Sequence, residues 1–168
     1  AIDDLVADLP NREEVEACVG AWQQKGFTAM GTVADLSSFE DRSRLMKELK
    51  SNWNILDILV NNVGTNIRKK SVEYTAEEYD TVMGTNLRAG FEICQLAYPL
   101  LNKSKAAAVV NIVSVAGLTH VRTGAPYAMS KAALTQLTRN LAVEWAADGI
   151  RVNAVAPCMV RTKFSEPF

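Results

Sequence analysis

The sequence predicts a doubly wound α/β fold, a three-layer arrangement in which helices cover both faces of a parallel sheet. Short apolar segments alternate with amphipathic helical segments along the chain. Helices between successive strands imply parallel pairing through right-handed crossovers. The apolar segments are continuous, which is typical of strands that are buried on both faces. With 168 residues, the chain is predicted to form one domain over 1–168.

Caps and turn residues delimit the predicted helices. Gly26 follows the first helix as a C′ glycine would, and Ser37 or Ser38 caps the second. Thr75 and Glu78 form a capping box that opens a third helix. The predicted elements are strands at 5–7, 27–33, 55–60, 109–113 and 150–155, and helices at 12–25, 38–52, from 75 through 101, and 127–147.

Residues suited to ligand contact follow the predicted strands. They are Asp35, Asn61, Asn62, Ser114 and Pro157. The carboxyl ends of parallel strands meet at one edge of a sheet, and open α/β folds bind dinucleotides in the crevice outside that edge. The sequence therefore predicts a Rossmann-type sheet with its binding site at this edge.

Composition argues against several classes of function. The 18 basic and 19 acidic side chains are interspersed and sum to −1, so neither a nucleic-acid partner nor a membrane surface is expected. No apolar segment has the roughly 18–20 residues of a membrane span. Cys18, Cys94 and Cys158 are too scattered for a disulfide framework or a zinc site, so we expect free thiols, no metal and a cytoplasmic location.

The pair that most strongly indicates chemistry is Tyr127 and Lys131, which are four residues apart. This spacing places both side chains on one face of a helix. A neighbouring ammonium favours the phenolate form of a tyrosine and so makes the phenol a stronger general acid. The alternative interpretation is an exposed tyrosine and an exposed lysine with no chemical role.

Further polar groups favour the chemical interpretation. Ser114 ends a predicted strand 13 residues before the tyrosine, where its hydroxyl can bind a substrate oxygen beside the phenol. Asn86 lies within a helix, where an amide is unfavourable because it competes for backbone hydrogen bonds. A structural, water-bonded asparagine is the alternative there. Asn61, Asn62 and Gly64 place two amides and a glycine at the end of a strand.

These motifs, in this order, resemble the short-chain dehydrogenase/reductase family: Asn-Asn-x-Gly at 61–64, then Asn86, Ser114 and Tyr127-x-x-x-Lys131. The resemblance implies NAD(P)(H)-dependent reduction of a carbonyl or oxidation of a secondary alcohol. It makes Tyr127 the general acid, while Lys131 activates the phenol and holds the nicotinamide ribose. It also implies that Ser114 positions the carbonyl and that Asn86 anchors a water of the proton relay.

The same resemblance implies a set of cofactor contacts. Asp35 and Leu36 match the family's adenine-contacting pair. Pro157 and Thr162 match a segment beside the nicotinamide, in which Cys158 replaces a glycine. The full set of predicted cofactor-binding residues is Asp35, Leu36, Asn62, Gly64, Tyr127, Lys131, Pro157 and Thr162.

Longer segments narrow the branch and the choice of cofactor. Residues 61–69, 73–75 and 137–145 look like those of tropinone reductases and their relatives, which prefer NADPH. Asp8 is the competing signal, because an acid after the second strand of the family binds the ribose 2′-hydroxyl of NAD. We favour NADP(H) over NAD(H) on the resemblance to this branch.

One part of the family's pattern has no counterpart in the sequence. The family opens with a strand and a Gly-x-x-x-Gly-x-Gly loop that cradles the pyrophosphate, and the chain looks truncated at both ends. We therefore expect weak or no dinucleotide binding. The alternative function is an inactive relative that acts only as a structural or interaction protein. A serine hydrolase is disfavoured, since Ser114 has no Gly-x-Ser-x-Gly elbow.

Two residues are candidates for substrate contact. Arg68 lies four residues after Gly64 in a predicted loop over the cleft, and His120 lies between Ser114 and Tyr127. A permanently charged arginine would repel a protonated amine, so we expect a neutral or anionic substrate. A solvated loop residue is the alternative interpretation of each. The family also pairs subunits through its two long helices, which implies a homodimer or homotetramer.

Overall fold

The computed structural model describes residues 12–158 and residue 160. The predicted strand at 5–7 and the predicted contact Thr162 lie outside the described residues. Short turns connect the regular elements: 3₁₀ turns at Ser71–Glu73, Val115–Gly117 and Ala146–Asp148, and a π-helical turn at Gly84–Arg88. The elements are α1 (Arg12–Gln24), α2 (Phe39–Asn52), β1 (Ile58–Asn61), α3 (Ala76–Met83), α4 (Ala89–Leu101), β2 (Ala108–Ile112), α5 (Ala125–Glu144) and β3 (Arg151–Val155).

The three described strands form one parallel sheet in the order β1-β2-β3. Asn61 of β1 is in register with Asn111 of β2, which is in register with Ala154 of β3. Helices connect these strands and flank the sheet. This arrangement confirms the predicted parallel, three-layer α/β/α fold.

Local sequence signals account for most helix boundaries. Ser38 caps α2 by accepting a hydrogen bond from the Asp41 amide. Thr75 and Glu78 form the predicted capping box at the start of α3. Gly26 follows α1 with a φ of 86°, a backbone conformation that L side chains rarely adopt. These predictions are confirmed. Each could be made from the sequence because it depends only on residues that are neighbours in the chain.

The prediction of a strand at 27–33 is wrong. These residues form no regular element, and they pair with no other strand of the described chain. Phe27 is 61% exposed and packs against the Trp22 ring at 6.1 Å between centroids. A strand exists only through hydrogen bonds to a neighbour, and an apolar segment cannot by itself supply that neighbour.

The long helix expected to run to residue 101 is interrupted. At Gly84–Arg88 the backbone widens into a π-helical turn, in which the Ala89 amide donates to the Gly84 carbonyl. Such turns are rare and occur often at functional sites. This one contains Asn86, and α4 begins directly after it.

The core lies between the sheet and the helices α2, α4 and α5. Arg42 of α2 is 2% exposed, and its guanidinium bonds both the Glu92 carboxylate and the Leu36 carbonyl. No helix among the described residues is long and apolar enough to cross a membrane. The buried apolar side chains of the main core cluster are Met46, Ile93, Cys94, Ala97, Leu100, Leu101, Ala107, Val109, Leu141, Trp145, Ile150 and Val152.

Candidate active site

The predicted site residues gather at the carboxyl edge of the sheet, where β1, β2 and β3 end. The Val113 amide donates to the Val155 carbonyl at 2.9 Å, and the Val115 amide donates to the Pro157 carbonyl at 3.1 Å. Ser114 lies between these two bonds, so the structure places it beside Pro157. Its side chain is buried, and its hydroxyl oxygen accepts a hydrogen bond from the Ala116 amide.

Lys131 is the buried charge of this edge. Its side chain is 4% exposed, and its ammonium donates to the Ile112 carbonyl at 2.8 Å. The Tyr127 ring lies one helical turn away, with its centroid 5.8 Å from Nζ. Burial lowers the pKa of the Lys131 ammonium from 10.5 to about 8. The predicted proximity of these two residues is therefore observed.

Asn86 holds three segments of the site together. Its Oδ1 accepts from the Thr65 amide at 2.7 Å, and its Nδ2 donates to the Thr65 carbonyl at 2.9 Å. The same Nδ2 donates to Ser130 Oγ at 3.0 Å, and Ser130 Oγ donates to the Tyr127 carbonyl at 2.7 Å. The side-chain amide thus joins the loop after β1 to helix α5. Its predicted role toward a water stays a prediction.

Two glycines allow the backbone to approach this cluster closely. A Cβ on Gly64 would lie 3.3 Å from both Asn86 Oδ1 and Lys131 Nζ. A Cβ on Gly117 would lie 2.6 Å from the Ala132 nitrogen, which no real side chain tolerates. The turn after Ser114 therefore packs directly on the backbone of α5. These contacts bring the two loops against the helix that carries Tyr127 and Lys131.

A second polar network lies next to the site, and it was not predicted from the sequence. Asn61 Nδ2 donates to Asn111 Oδ1 at 2.8 Å and to Cys94 Sγ at 3.2 Å. Asn111 Nδ2 donates to Thr138 Oγ1 at 2.9 Å, which donates to the Leu134 carbonyl at 2.8 Å. An asparagine in an otherwise apolar strand was the available signal for Asn111. No sequence signal indicated a role for Ser130 or Thr65, because the residues that they contact are distant in the chain.

The predicted adenine contacts lie in a tight turn before α2. Asp35 Oδ1 accepts from the amide and the hydroxyl of Ser37, at 2.8 and 2.7 Å. The Asp35 amide donates to Asp41 Oδ2 at 2.7 Å, and Arg42 holds the Leu36 carbonyl. The turn is therefore fixed in shape before any ligand arrives. Asn62 follows β1 directly and is half-buried.

Arg68 and His120, the predicted substrate contacts, line one open groove of about 720 Å³. Neither Ser114 nor Tyr127 lines it, but Gly124, Ala125 and Ala128 do. The groove therefore borders the first turn of α5, beside the cluster of Tyr127 and Lys131. It is lined by Arg68, Lys69, Lys70, Ser71, Glu73, His120, Val121, Arg122, Gly124, Ala125, Ala128 and Met129.

Replacing Asn86 with Leu is expected to lower the free energy of unfolding by about 2–4 kcal/mol. Leucine has a similar volume but leaves the Thr65 amide and carbonyl and the Ser130 hydroxyl without their partner in a buried place. Urea unfolding followed by circular dichroism measures the change. The control is Asn140→Leu on the exposed face of α5, which should change stability by less than about 0.5 kcal/mol. Equal effects for the two variants would contradict the joining role of Asn86.

The chain is similar to known proteins along most of its length. The family profile described as short chain dehydrogenase matches residues 4–168. A tropinone reductase homolog of Arabidopsis thaliana is 48% identical over 157 residues, which cover 93% of this chain and 60% of the relative. A tropinone reductase homolog of Datura stramonium is 45% identical over 157 residues, covering 93% of this chain and 59% of the relative.

Solved structures agree with the sequence comparison. The crystal structure of a gluconate 5-dehydrogenase from Burkholderia cenocepacia J2315 in complex with NADP and tartrate superimposes with a TM-score of 0.85 at 27% identity. The match covers 94% of this chain and 62% of that one. The chain spans about three fifths of the length of the two tropinone reductase homologs.

Proposed function

This chain belongs to the short-chain dehydrogenase family, a family of oxidoreductases with a tropinone reductase-like branch that it resembles, and from that premise we propose that it interconverts a carbonyl compound and a secondary alcohol with NAD(P)(H). The observation that carries the proposal is the position of Tyr127 over the buried ammonium of Lys131. An ammonium is costly to bury, so its presence at this edge of the sheet favours a chemical role.

The surroundings of Lys131 fit a dinucleotide. An ammonium has three donors, and the described residues supply one acceptor for it, the Ile112 carbonyl. The two remaining N–H groups suit the hydroxyls of a nicotinamide ribose. By resemblance to the family, Asn62 and Gly64 would also contact the dinucleotide, Pro157 would lie beside its nicotinamide, and Asp35 and Leu36 would lie at its adenine. When bound, the dinucleotide supplies or accepts the hydride.

In the proposed reaction, the protein supplies the proton. Tyr127 gives its phenolic proton to the carbonyl oxygen of the substrate during reduction and takes it back during oxidation. The positive charge of Lys131 stabilises the phenolate that remains. The Ser114 oxygen accepts from the Ala116 amide, and a hydroxyl that accepts one bond can still donate its own proton, here to the substrate oxygen. Asn86 keeps the loop and the helix in place around this exchange.

We favour NADP(H) over NAD(H) within the proposal. The support is the resemblance to tropinone reductase homologs and the similar structure that was solved with NADP. Thr162, a predicted contact to the nicotinamide end, lies outside the described residues and keeps its role as a prediction. Asp8, which would favour NAD(H), lies outside them as well.

We also propose that copies of the chain associate through α4 and α5 into a homodimer or homotetramer. The two helices expose apolar side chains, with Phe91 40% and Val143 80% exposed. A shallow cavity of about 660 Å³ lies on this side, lined by residues of α3, α4 and α5 that include Phe91 and Leu137.

We propose a cytoplasmic location as well, because a reducing compartment suits the free thiols of Cys18, Cys94 and Cys158.

Transfer of a label tests the proposed reaction. The folded chain is incubated with NADPH deuterated at the hydride position, in the millimolar range, and with a panel of ketones and aldehydes. Deuterium in the alcohol product, found by mass spectrometry, is the expected result, and parallel reactions with NADH measure the preference. A chain that retains its circular dichroism and transfers no deuterium from either cofactor would overturn the proposal.

A further inference from the structure

We infer that the groove at the start of α5 binds an anionic group of the substrate, a carboxylate or a phosphate, at a short distance from the carbonyl that reacts. The inference rests on the proposed function, since it names the class of substrate for the same site. It begins from the charges of the residues that line the groove. Those residues belong to the loop 68–73, the segment 120–124 and the first turns of α5.

Positive charge is concentrated in this groove. Arg68, Lys69, Lys70 and Arg122 line it, against Glu73 as the one carboxylate of the lining. The whole chain, by contrast, has 18 basic and 19 acidic side chains and a net charge of −1. The groove therefore attracts anions although the protein as a whole does not.

Internal ion pairs neutralise only part of this charge. The Lys69 ammonium pairs with the Glu78 carboxylate in the first turn of α3. Among the described residues, no carboxylate forms an ion pair with Lys70 or Arg122. Each of these side chains is exposed, so a single one would contribute little to binding. Several cations around one groove act on the same bound anion and add their effects.

The groove lies close enough to the proposed acid for one small molecule to reach both. Ala125 and Ala128 line the groove and lie within two residues of Tyr127, in the first turns of α5. A Cβ on Gly124 would lie 3.0 Å from the Ile67 carbonyl, so the loop that carries Arg68 packs on the start of α5. A short keto acid could place its carbonyl at Tyr127 and its carboxylate in the groove.

A matched pair of ligands tests the charge directly. Levulinate and its methyl ester share a ketone and a carbon skeleton and differ in one negative charge. Titration of each into the full chain is followed by amide NMR, which needs no turnover. We expect levulinate to bind about tenfold more tightly at low salt, equivalent to about 1.4 kcal/mol, to shift the amides of 68–70 and 120–125, and to lose this advantage as salt is added.

A triple variant, Arg68→Gln with Lys70→Gln and Arg122→Gln, is expected to bind the acid and the ester equally. Its control removes three exposed cations at the opposite edge of the sheet, by Lys103→Gln, Lys105→Gln and Arg151→Gln, and should keep the preference. Equal binding of both ligands by the unmodified chain, binding of neither, or an equal loss in the control variant would overturn the inference.

Two further measurements separate the alternatives. The affinities for NADPH and NADH show whether the groove binds the substrate or a phosphate of the cofactor. Deuterium transfer shows whether the anion site and the proposed reaction stand or fail independently. If the triple variant loses affinity for NADPH but not for NADH, the groove holds a phosphate of the cofactor and the inference is wrong. If the chain prefers levulinate but transfers no deuterium to any carbonyl, the anion site stands and the proposed reaction fails. If deuterium is transferred equally to the acid and the ester, the reaction stands and the anion site fails.

Discussion

Tyr127→Phe is expected to lower the rate constant of carbonyl reduction about a thousandfold, because it removes the proton that the carbonyl oxygen must receive. General acid catalysis by a positioned side chain contributes a factor of roughly 10²–10⁴. Phenylalanine keeps the ring over Lys131, so the packing of the first turn of α5 is preserved. The loss should therefore fall on the chemical step, with little change in the fold.

Single-turnover rates with saturating NADPH measure this effect, and urea unfolding reports on the fold. The matched control is Tyr98→Phe, which removes a phenol hydroxyl that donates to Asp148 near the C-terminal end of α4. It should leave the rate within about twofold, since it touches none of the reacting groups. A Tyr127→Phe variant with a rate like that of this control would show that another group supplies the proton.

Lys131→Met is expected to abolish activity and yet to stabilise the fold at neutral pH. Burial lowers the pKa of the ammonium from 10.5 to about 8, so folding is penalised wherever the unfolded chain is charged. The penalty, about 3 kcal/mol, is fully present below pH 8, fades between pH 8 and 10.5, and is absent above. Loss of the bond to the Ile112 carbonyl offsets about 1 kcal/mol of the gain.

Urea unfolding at a series of pH values checks the sign of this prediction. The methionine variant should be about 2 kcal/mol more stable than the unmodified chain at pH 7, and slightly less stable once the pH exceeds 10.5. Lys103→Met, at an exposed position after α4, should show no such dependence on pH. A methionine variant that is less stable at pH 7 would mean that the ammonium is better solvated than its burial indicates.

Predictions from the sequence succeed where the signal is local. The Ser38 cap and the Thr75 capping box depend on residues within three positions of one another. The proximity of Tyr127 and Lys131 follows in the same way from helical spacing. The strand expected at 27–33 failed because its formation depends on a partner strand elsewhere in the chain, which the segment's own residues do not specify.

The supporting contacts of the site are also long-range. They could not be predicted from the sequence, because each depends on a partner elsewhere in the chain. Asn86 bonds Thr65, 21 residues away, and Ser130, 44 residues away. Its chemistry indicated that an amide needed partners within the fold, but not which ones. The backbone contacts at Gly117 depend on how the turn after β2 meets α5, a tertiary feature that no short motif encodes.

The amide pair between β1 and β2 has a consequence for how the sheet is assembled. Asn61 and Asn111 face each other in register, and their side chains bond across the two strands. A slip of β1 by one residue would turn Asn61 to the opposite face of the sheet and leave Asn111 Oδ1 without this hydrogen bond. The hydrogen bond between the two amides therefore favours the native register of β1 and β2. This preference for one register also fixes the relative height of the loops that follow the two strands.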